Sequence, residues 1–459
     1  MHTYELAEGR LCDSLVAALR ADILSGGFTA GERLPSKRRL AEHHGISVQT
    51  VQNAYEQLIA AGYIESRERS GYYVSALMPP KMAARRTPLP LPEDGEGDLP
   101  PLLDLVSNAP DPERFPFALW SRLSRRVLSR GKSLLAASSA AGSAVLREAI
   151  ADYLANARGM AVSPAQIVIG AGTEYLYQLL LQLLGRERCY GVENPGHSKI
   201  ARIYALNGVK YCPVSLDGEG VLISEAERQG VDVLHISPNH HFPTGLLTTA
   251  PRRAALLSWM QAGDRYIIED DYDSEFRFAG RPIPPLFDMD GVGRVIYMNT
   301  FSKTIAPSMR ISYMVLPHGL LCRYREQLGF YACPVPVFEQ YTLAGFLAEG
   351  HFERHLHRMR TFYRARRDAV IEVLRTSPFA DRITVREADS GLHFLLEIRT
   401  ARSDDELRAL AASLGARIAF LQDYRIDGVR NDTHIMVFNY SGVDPDRLRE
   451  GLGRLAELI

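Results

Sequence analysis

The chain has 459 residues, of which 46% are hydrophobic, and this is enough for about three structural units or for one small domain beside a larger two-lobed body. No apolar run approaches the roughly 20 residues of a membrane span, and the N-terminus does not resemble a secretory signal, so we expect a cytoplasmic protein with no membrane partner. The formal net charge of -1 excludes a global attraction to nucleic acid, and the five cysteines lack metal-ligand spacing, which predicts reduced thiols and no metal site.

Three helices followed by two short strands are predicted at the N-terminus. Apolar residues at helical spacing indicate the first helix, and Ser36 and Ser47 stand at the N-cap positions of the second and third. The predicted elements are helices over 11–25, 37–44 and 48–61 and strands over 63–65 and 72–74. This order predicts a winged helix-turn-helix domain over residues 1–75.

The cations of this region are clustered at the second helix and in the turn between the strands. Such residues neutralise DNA phosphates, while a third helix in the major groove offers polar side chains to base edges. The predicted DNA-binding residues are Lys37, Arg38, Arg39, Ser47, Gln49, Thr50, Asn53, Arg67, Arg69 and Gly71. The partner we expect is double-stranded operator DNA.

The stretches 22–41, 51–58 and 62–66 closely resemble the GntR-type winged helix. This resemblance implies that Arg38 and the start of the third helix contact DNA. One position departs from the family pattern, because Val48 stands where many members carry a polar or basic residue.

A linker is predicted over residues 76–101. It holds seven prolines and an acidic tract over 93–98, and it is poor in large apolar residues, so it cannot form a core. We expect it to tether the N-terminal domain to a large domain over 102–459.

Helical patterns alternate with short apolar strands in the large domain. The predicted strands lie over 167–169, 188–192, 231–236, 266–269, 294–298 and 312–316. Such alternation predicts an α/β fold with a mainly parallel sheet covered by helices. Ligands of this architecture bind at the carboxyl ends of the strands.

Lys303 follows one of these strands, small hydroxyl residues flank it, and Arg310 lies seven positions later. Carbonyl chemistry requires a lysine whose neutral form is favoured by burial or by neighbouring cations. Thr300, Ser302 and Arg310 suit a phosphate dianion. Together these features indicate pyridoxal 5'-phosphate (PLP), although a surface lysine and arginine after a buried strand is the alternative.

Other strand ends offer partners for such a cofactor. Gly172 and Thr173 open a helix, whose N-terminal N–H groups suit a phosphate. Asp270 can keep a pyridine nitrogen protonated, and the phenol of Tyr272 can bind the cofactor's O3' oxygen. The loops 193–197 and 237–245 present His197, Asn239 and His240 to the same edge.

These residues resemble fold type I aminotransferases, and with the winged helix they resemble the MocR-type regulators of the GntR superfamily. The most specific stretches are 268–277, 242–245 and 300–304 with Arg310. The resemblance implies that Lys303 forms the Schiff base, that Asp270 holds the pyridine nitrogen and that Tyr272 holds O3'. It implies five phosphate-binding residues, which are Gly172, Thr173, Thr300, Ser302 and Arg310.

Four positions depart from the family pattern. Thr300 replaces a serine, His197 replaces an aromatic residue that stacks on the cofactor, and Phe242 stands where active aminotransferases often carry asparagine. The strand over 433–440 lacks the arginine that commonly clamps a substrate carboxylate. The candidates to replace it are His434, Arg425 and Arg430.

These observations leave three hypotheses for the function. The leading hypothesis is a PLP-dependent transcriptional regulator that senses a small amine, an amino acid or PLP itself. The second is a working aminotransferase with a DNA-binding appendage, and the third is a DNA-binding protein whose large domain has lost PLP and only dimerises. The intact lysine, aspartate, tyrosine and arginine disfavour the third. Because fold type I sites usually form between two subunits, the resemblance also implies a homodimer.

Overall fold

The computed structural model describes residues 2–4, 6–7, 10–76, 102–107, 110–278, 284–389, 391–430 and 432–458. They belong to two compact units, one within residues 1–99 and one within residues 100–459. The linker predicted over 76–101 lies, apart from Ala76, outside the described residues. Among the described residues, no helix is long and apolar enough to cross a membrane.

The first unit contains the predicted elements in the predicted order. They are α1 (Leu11–Ser25), α2 (Lys37–His44), α3 (Val48–Ala60), β1 (Ile64–Arg67) and β2 (Gly71–Val74). Ser36 and Ser47 cap their helices, since each side chain accepts a hydrogen bond from a backbone N–H three residues later. The strands extend further than predicted, so Arg67 and Gly71 form the last pair of an antiparallel ladder and do not lie in the turn.

The core of this unit lies between the helices and the hairpin. Val51, Tyr55 and Leu58 follow one another at spacings of four and three along α3, and all three are fully buried. They pack with Leu19 of α1 and Leu40 of α2. The apolar face of α3 is therefore buried, and its opposite, polar face remains available for a partner.

The second unit is an α/β structure. Its strands are β3 (Leu103–Asp104), β4 (Ile167–Gly170), β5 (Tyr190–Asn194), β6 (Tyr211–Asp217), β7 (Gly220–Val221), β8 (Val233–Ile236), β9 (Tyr266–Asp270), β10 (Val295–Thr300), β11 (Ser312–Val315), β12 (Ile383–Arg386), β13 (His393–Ile398), β14 (Ala416–Arg417) and β15 (His434–Asn439). Its helices are α4 (Phe117–Leu128), α5 (Ala144–Arg158), α6 (Thr173–Leu184), α7 (Ser198–Leu206), α8 (Ile223–Arg228), α9 (Ala250–Gln261), α10 (Leu286–Met289), α11 (His318–Gln327), α12 (Val337–Ala348), α13 (His351–Arg375), α14 (Asp404–Ser413) and α15 (Pro445–Leu458).

The large sheet has the strand order β4-β11-β10-β9-β8-β5-β6-β7. The five central strands from β10 to β6 run parallel to one another. β11 runs antiparallel to both of its neighbours, and β7 runs antiparallel to β6. The prediction of a mainly parallel sheet is therefore confirmed, and the apolar strands fit it because helices cover both faces.

A smaller antiparallel sheet follows the long helix α13. It has the order β12-β13-β15, and its core includes Phe394, Phe438 and Tyr440 packed with Tyr363 of α13. The first residue of β13, His393, is fully buried and pairs with Asn439 across the ladder. This smaller lobe thus contributes buried polar residues beside the large sheet.

Candidate functional site

Four of the predicted cofactor residues, His197, Asp270, Tyr272 and Lys303, meet at the carboxyl edge of the large sheet. A cavity of about 290 Å³ lies there, at the ends of β5, β8 and β9. Its walls include His197, Phe242, Asp270, Tyr272, Lys303 and Tyr424. The parallel strands bring all of these residues except Tyr424 together, because each strand delivers its following loop to the same edge. Tyr424 comes from the segment between β14 and β15.

Asp270 is the last residue of β9, and its side chain is oriented by two neighbours. The phenol of Tyr177 donates a hydrogen bond of 2.6 Å to Asp270 Oδ2, and His235 Nε2 lies 3.7 Å from the same oxygen. Asp270 Oδ1 is buried and has no hydrogen-bond partner among the described residues. A buried acceptor without a partner is costly, so this oxygen is suited to a ligand donor such as a protonated ring nitrogen.

Sequence reasoning missed Tyr177 and His235. Tyr177 lies in α6 at the spacing of a core aromatic residue, and His235 lies within β8, where a buried histidine usually has only a structural role. Tyr204 of α7 fixes the His235 ring from its other side, since its hydroxyl lies 2.8 Å from His235 Nδ1. Neither residue belongs to a strand-end motif, which was the signal that located the other site residues.

Lys303 and Tyr272 face the cavity from two different loops. Burial lowers the pKa of Lys303 below its usual value, although the negative charge of Asp273 acts in the opposite direction. Burial and the charge of Asp273 raise the pKa of Tyr272 well above its usual value, so its phenol keeps its proton at neutral pH. The site therefore contains a desolvated amine, as the chemistry of a carbonyl-binding lysine requires.

The predicted phosphate site lies where α6 begins. The guanidinium of Arg310 pairs with Glu174 and packs so closely on Gly172 that a Cβ at that glycine would lie 2.4 Å from Arg310 Nη2. Ser302 Oγ is buried without a partner among the described residues, whereas the hydroxyl of Thr300 is bonded to Ser312 at 2.8 Å. Lys199 also binds Glu174, at 2.8 Å. These charges and the N-terminal N–H groups of α6, which starts at Thr173, suit an anion.

The two remaining predicted cofactor residues differ in their placement. His197 precedes α7 and lines the cavity, with its ring centroid 5.7 Å from that of Phe242. Asn239 lies between buried charges, since its Nδ2 donates to Glu269 and Asp271 and its Oδ1 accepts from Arg253. The Asn239 side chain is therefore already hydrogen-bonded by protein groups.

None of the three candidates for the carboxylate clamp lies in the cavity wall. Arg425 pairs with Asp427, and His434 Nδ1 lies 2.7 Å from Asp404 Oδ1. Arg430 is exposed and lies 3.8 Å from Asp405. The residues on either side of Arg425, which are Tyr424 and Ile426, do line the cavity. Among the lining residues that the structure describes, no arginine faces a substrate carboxylate.

A buried ionic network supports the loop that carries Tyr272. Arg158 pairs with Asp271, whose Oδ2 also accepts a hydrogen bond of 2.7 Å from the Tyr297 phenol. Glu275 lies in the same network and accepts from Asn299 at 3.0 Å. These contacts fix the residues on both sides of Tyr272, so the loop is held by polar bonds as well as by apolar packing.

The winged helix unit presents its polar residues on α2, on α3 and in the hairpin. Arg38 and Arg39 are exposed in the first turn of α2, while Lys37 Nζ donates to Gln52 at 3.2 Å. Gln49 and Asn53 are exposed one turn apart on α3 and are joined by a hydrogen bond of 2.9 Å. These side chains have the donors and acceptors that base edges require.

The hairpin contributes cations of two kinds. Arg67 pairs with Glu65 at 2.6 Å and lies 4.4 Å from the centre of the Tyr73 ring, so it is partly neutralised. Arg69 is exposed at the tip with a positive φ of 59°. Gly71 also has a positive φ, and a Cβ there would lie 3.2 Å from Arg33 Nε. Arg69 is therefore the hairpin cation best placed for a phosphate.

Comparisons with known proteins agree with this two-part organisation. Residues 11–74 match the family of bacterial regulatory proteins of the gntR type, and residues 100–453 match the class I and II aminotransferases. The chain is 34% identical to the HTH-type transcriptional regulator YdeL of Bacillus subtilis, over 97% of this chain and 96% of that one. It is 32% identical to the probable rhizopine catabolism regulatory protein MocR of Rhizobium meliloti, over 96% and 92% of the two chains.

A solved structure shows the same fold in the second unit. It is the Pyrococcus horikoshii kynurenine aminotransferase crystallised with PMP, which is 26% identical with a TM-score of 0.66 and covers 77% of this chain and 90% of that chain. The fold type I architecture predicted from the sequence is therefore confirmed.

Proposed function

The chain belongs to the MocR-type subfamily of the GntR superfamily, and from this membership we propose that it is a PLP-dependent transcriptional regulator. It binds operator DNA through the unit within residues 1–75 and senses a small amine, an amino acid or PLP through residues 102–459. The observation that supports the proposal most is that Lys303, Asp270 and Tyr272 line one cavity. The same chain contains a winged helix.

PLP is the cofactor of the aminotransferase class to which the second unit belongs, and the site residues fit it. Asp270 Oδ1 and Ser302 Oγ are buried polar atoms without a hydrogen-bond partner among the described residues. They lie where the ring nitrogen and the phosphate are proposed to bind. Gly172 leaves room beside Arg310 that a side chain would fill. PLP supplies an aldehyde that reacts with amines and a ring that accepts electrons.

The roles of the surrounding residues follow from their contacts. Lys303 would hold the cofactor covalently, Asp270 would keep its ring nitrogen protonated and Tyr272 would face O3'. Tyr177 would fix the Asp270 carboxylate through its 2.6 Å hydrogen bond. Gly172, Thr173, Ser302 and Arg310 would hold the phosphate, and Thr300 would support them through Ser312. His197 would cover the ring from the α7 side.

The second candidate function is a working aminotransferase with a DNA-binding appendage. The retained lysine, aspartate and tyrosine favour it. The described cavity wall offers no arginine for an α-carboxylate, and a charge-assisted hydrogen bond of this kind contributes about 1.5 to 3 kcal/mol. At 1.4 kcal/mol per decade, common α-amino acids should bind about tenfold or more weakly than in a clamped site.

One experiment tests the cofactor and separates the two functions. The purified chain loaded with PLP should be yellow, borohydride should fix the cofactor to the peptide that contains Lys303, and Lys303→Ala should lose the band. A panel of amino acids and amines is then added, and conversion of the cofactor is followed in single turnovers. Slow or absent conversion is expected. Rapid conversion with an ordinary α-amino acid would favour the aminotransferase, and a wild-type chain without the band would refute the cofactor assignment.

We also propose a homodimer in the cytoplasm, because fold type I sites usually form between two subunits and DNA is the partner. Two winged helices then imply two half-sites in the operator. Sedimentation of the full chain at twice its 51.1 kDa mass would support this.

A further inference from the structure

Part of the cavity beside Lys303 is lined by apolar and aromatic side chains to which the proposed function gives no role. Five of these residues, named here the apolar lining, are Val106, Ile200, Phe242, Tyr424 and Ile426. Val106 follows β3, Ile200 lies in α7, Phe242 lies in the loop after β8, and Tyr424 and Ile426 lie between β14 and β15. The apolar lining therefore combines segments that are far apart in the sequence.

Phe242 lies at the centre of a group of rings. Its ring centroid is 5.0 Å from that of Tyr424, with the two planes at 89°, and 5.7 Å from that of His197. It also meets the rings of Tyr272 and His393, at 6.5 and 5.3 Å. Aromatic pairs at such separations and angles are favourable. The Phe242 ring is therefore held in the cavity wall by contacts with four neighbours.

The segment that carries Tyr424 and Ile426 is fastened to the loop after β5. The backbone N–H of Gly196 donates to the carbonyl oxygen of Tyr424 at 3.0 Å, and the backbone N–H of Ile426 donates to Asn194 Oδ1 at 3.0 Å. These protein bonds place both residues in the wall without a ligand. A site that is formed in advance loses less freedom when a ligand binds.

The cavity offers little to a carboxylate. Of the described residues around it, only Lys303 is a lysine or an arginine, and the proposed function joins that nitrogen to the cofactor. His197 does not supply a cation at neutral pH, because burial lowers its pKa to about 4. A carboxylate that entered the cavity would lose water and find neither a lysine nor an arginine to pair with, which is unfavourable.

The cavity volume limits the size of a ligand. An apolar cavity of about 150 Å³ holds one benzene molecule, and the cavity beside Lys303 has about 290 Å³. With the pyridine ring of the cofactor against Asp270, about half of this volume remains. The remaining space suits one further ring or a branched chain of about five carbon atoms.

We propose that the ligand sensed at Lys303 is a primary amine with a small aromatic or branched aliphatic body and no carboxylate. The inference rests on the proposed function, because it assumes PLP on Lys303. Phe242, Tyr424 and Ile426 would determine specificity by contact with the apolar body of the ligand. The α-amino acid with the same body carries a carboxylate for which the lining has no partner.

The test compares amines with the amino acids that carry the same body and a carboxylate. The PLP-loaded full chain is titrated with phenethylamine, phenylalanine, isopentylamine and leucine, and binding is followed by calorimetry and by visible absorption. Each amine should bind about tenfold or more tightly than its amino acid, because a desolvated carboxylate without a partner is unfavourable. Ethanolamine, which has the amine but no apolar body, should bind more weakly than phenethylamine.

A pair of variants tests the apolar lining itself. Phe242→Asn should weaken the binding of phenethylamine about tenfold or more, because it removes an aromatic contact surface. The matched control is Leu206→Ala, since Leu206 is an apolar residue of α7 that is 87% exposed. It should leave the affinity for phenethylamine unchanged. Equal affinities in the two variants would remove Phe242 from the ligand site.

The other outcomes separate this inference from the proposed function. Equal or tighter binding of the amino acids would overturn the inference, because a cation beyond the described lining would then hold their carboxylate. Ethanolamine that binds as tightly as phenethylamine would show that the lining does not select the ligand. These comparisons use the wild type alone, so they decide the matter even where Phe242→Asn loses the cofactor. A PLP band that neither amine changes would refute this inference only, whereas a wild type without the band would refute the proposed function.

Discussion

Arg310 shows at the scale of one residue how the proposed phosphate site is prepared. Its guanidinium rests on Gly172 and pairs with Glu174, whose carboxylate is also bound by Lys199. A bound phosphate would accept two parallel hydrogen bonds from this guanidinium, which would then no longer pair with Glu174. Glu174 would keep its ion pair with Lys199. Its carboxylate would therefore still have a cationic partner after Arg310 turns to the phosphate.

We expect Arg310→Ala to weaken PLP binding about tenfold or more, because one charge-assisted hydrogen bond contributes about 1.5 to 3 kcal/mol. The measurement is a titration of the apoprotein with PLP, followed by its visible absorption. Arg202→Ala is the control, since Arg202 is an exposed cation on α7. The same affinity in both variants would remove Arg310 from the phosphate site.

The meeting of three predicted residues at one cavity was foreseeable because of where they stand in the sequence. Asp270, Tyr272 and Lys303 each follow an apolar strand, and parallel strands deliver their ends to one edge. Tyr177 and His235 lie inside regular elements, so only the packing of α6 on the sheet reveals that they face Asp270. Asn239 also follows a strand, yet the buried charges of Glu269 and Asp271 hold its amide, and no local pattern indicates such tertiary partners.

At the scale of elements, the winged helix unit was the most predictable part of the chain. The caps Ser36 and Ser47 and the apolar face of α3 are local signals, and local signals determine where these helices begin and which side is buried. The ends of the strands were placed less well. The ladder between β1 and β2 extends to Arg67 and Gly71 because cross-strand pairing, which is not local, determines its length.

The same elements predict how DNA binding responds to salt. Arg38 in α2 and Arg69 at the hairpin tip are exposed, so each can neutralise one phosphate. Replacing either by alanine should weaken binding and reduce the slope of log K against log salt by about 1. Arg20→Ala on α1 is the matched control, because α1 is outside the proposed docking face.

Affinity measured at several salt concentrations decides this point. The PLP spectrum should be the same in all three variants, since the changes lie in the other unit. If Arg38→Ala and Arg69→Ala kept both the affinity and the salt slope of the wild type, α2 and the hairpin tip would not form the docking face.

At the scale of the whole molecule, the order of units and a division of the larger one into two lobes were predictable, but the contacts that the smaller lobe makes were not. The parallel sheet follows from alternating apolar strands and helices. The smaller sheet supplies His393, which contacts the carbonyl oxygen of Pro243, a residue 150 positions earlier in the chain. Such a long separation leaves no trace in local periodicity. The contact between His393 and Pro243 is therefore visible only in the three-dimensional structure.

If chemistry at Lys303 controls DNA binding, a ligand that reacts at the cofactor must also change the affinity for DNA. DNA is selected from a random pool by the PLP-loaded full chain, and its affinity is measured with and without each amine or amino acid that changes the visible spectrum. Coupling between two sites typically changes affinity by about 5- to 150-fold. We expect a change in this range that Lys303→Ala abolishes. A ligand that alters the spectrum fully and leaves the DNA affinity unchanged would contradict it.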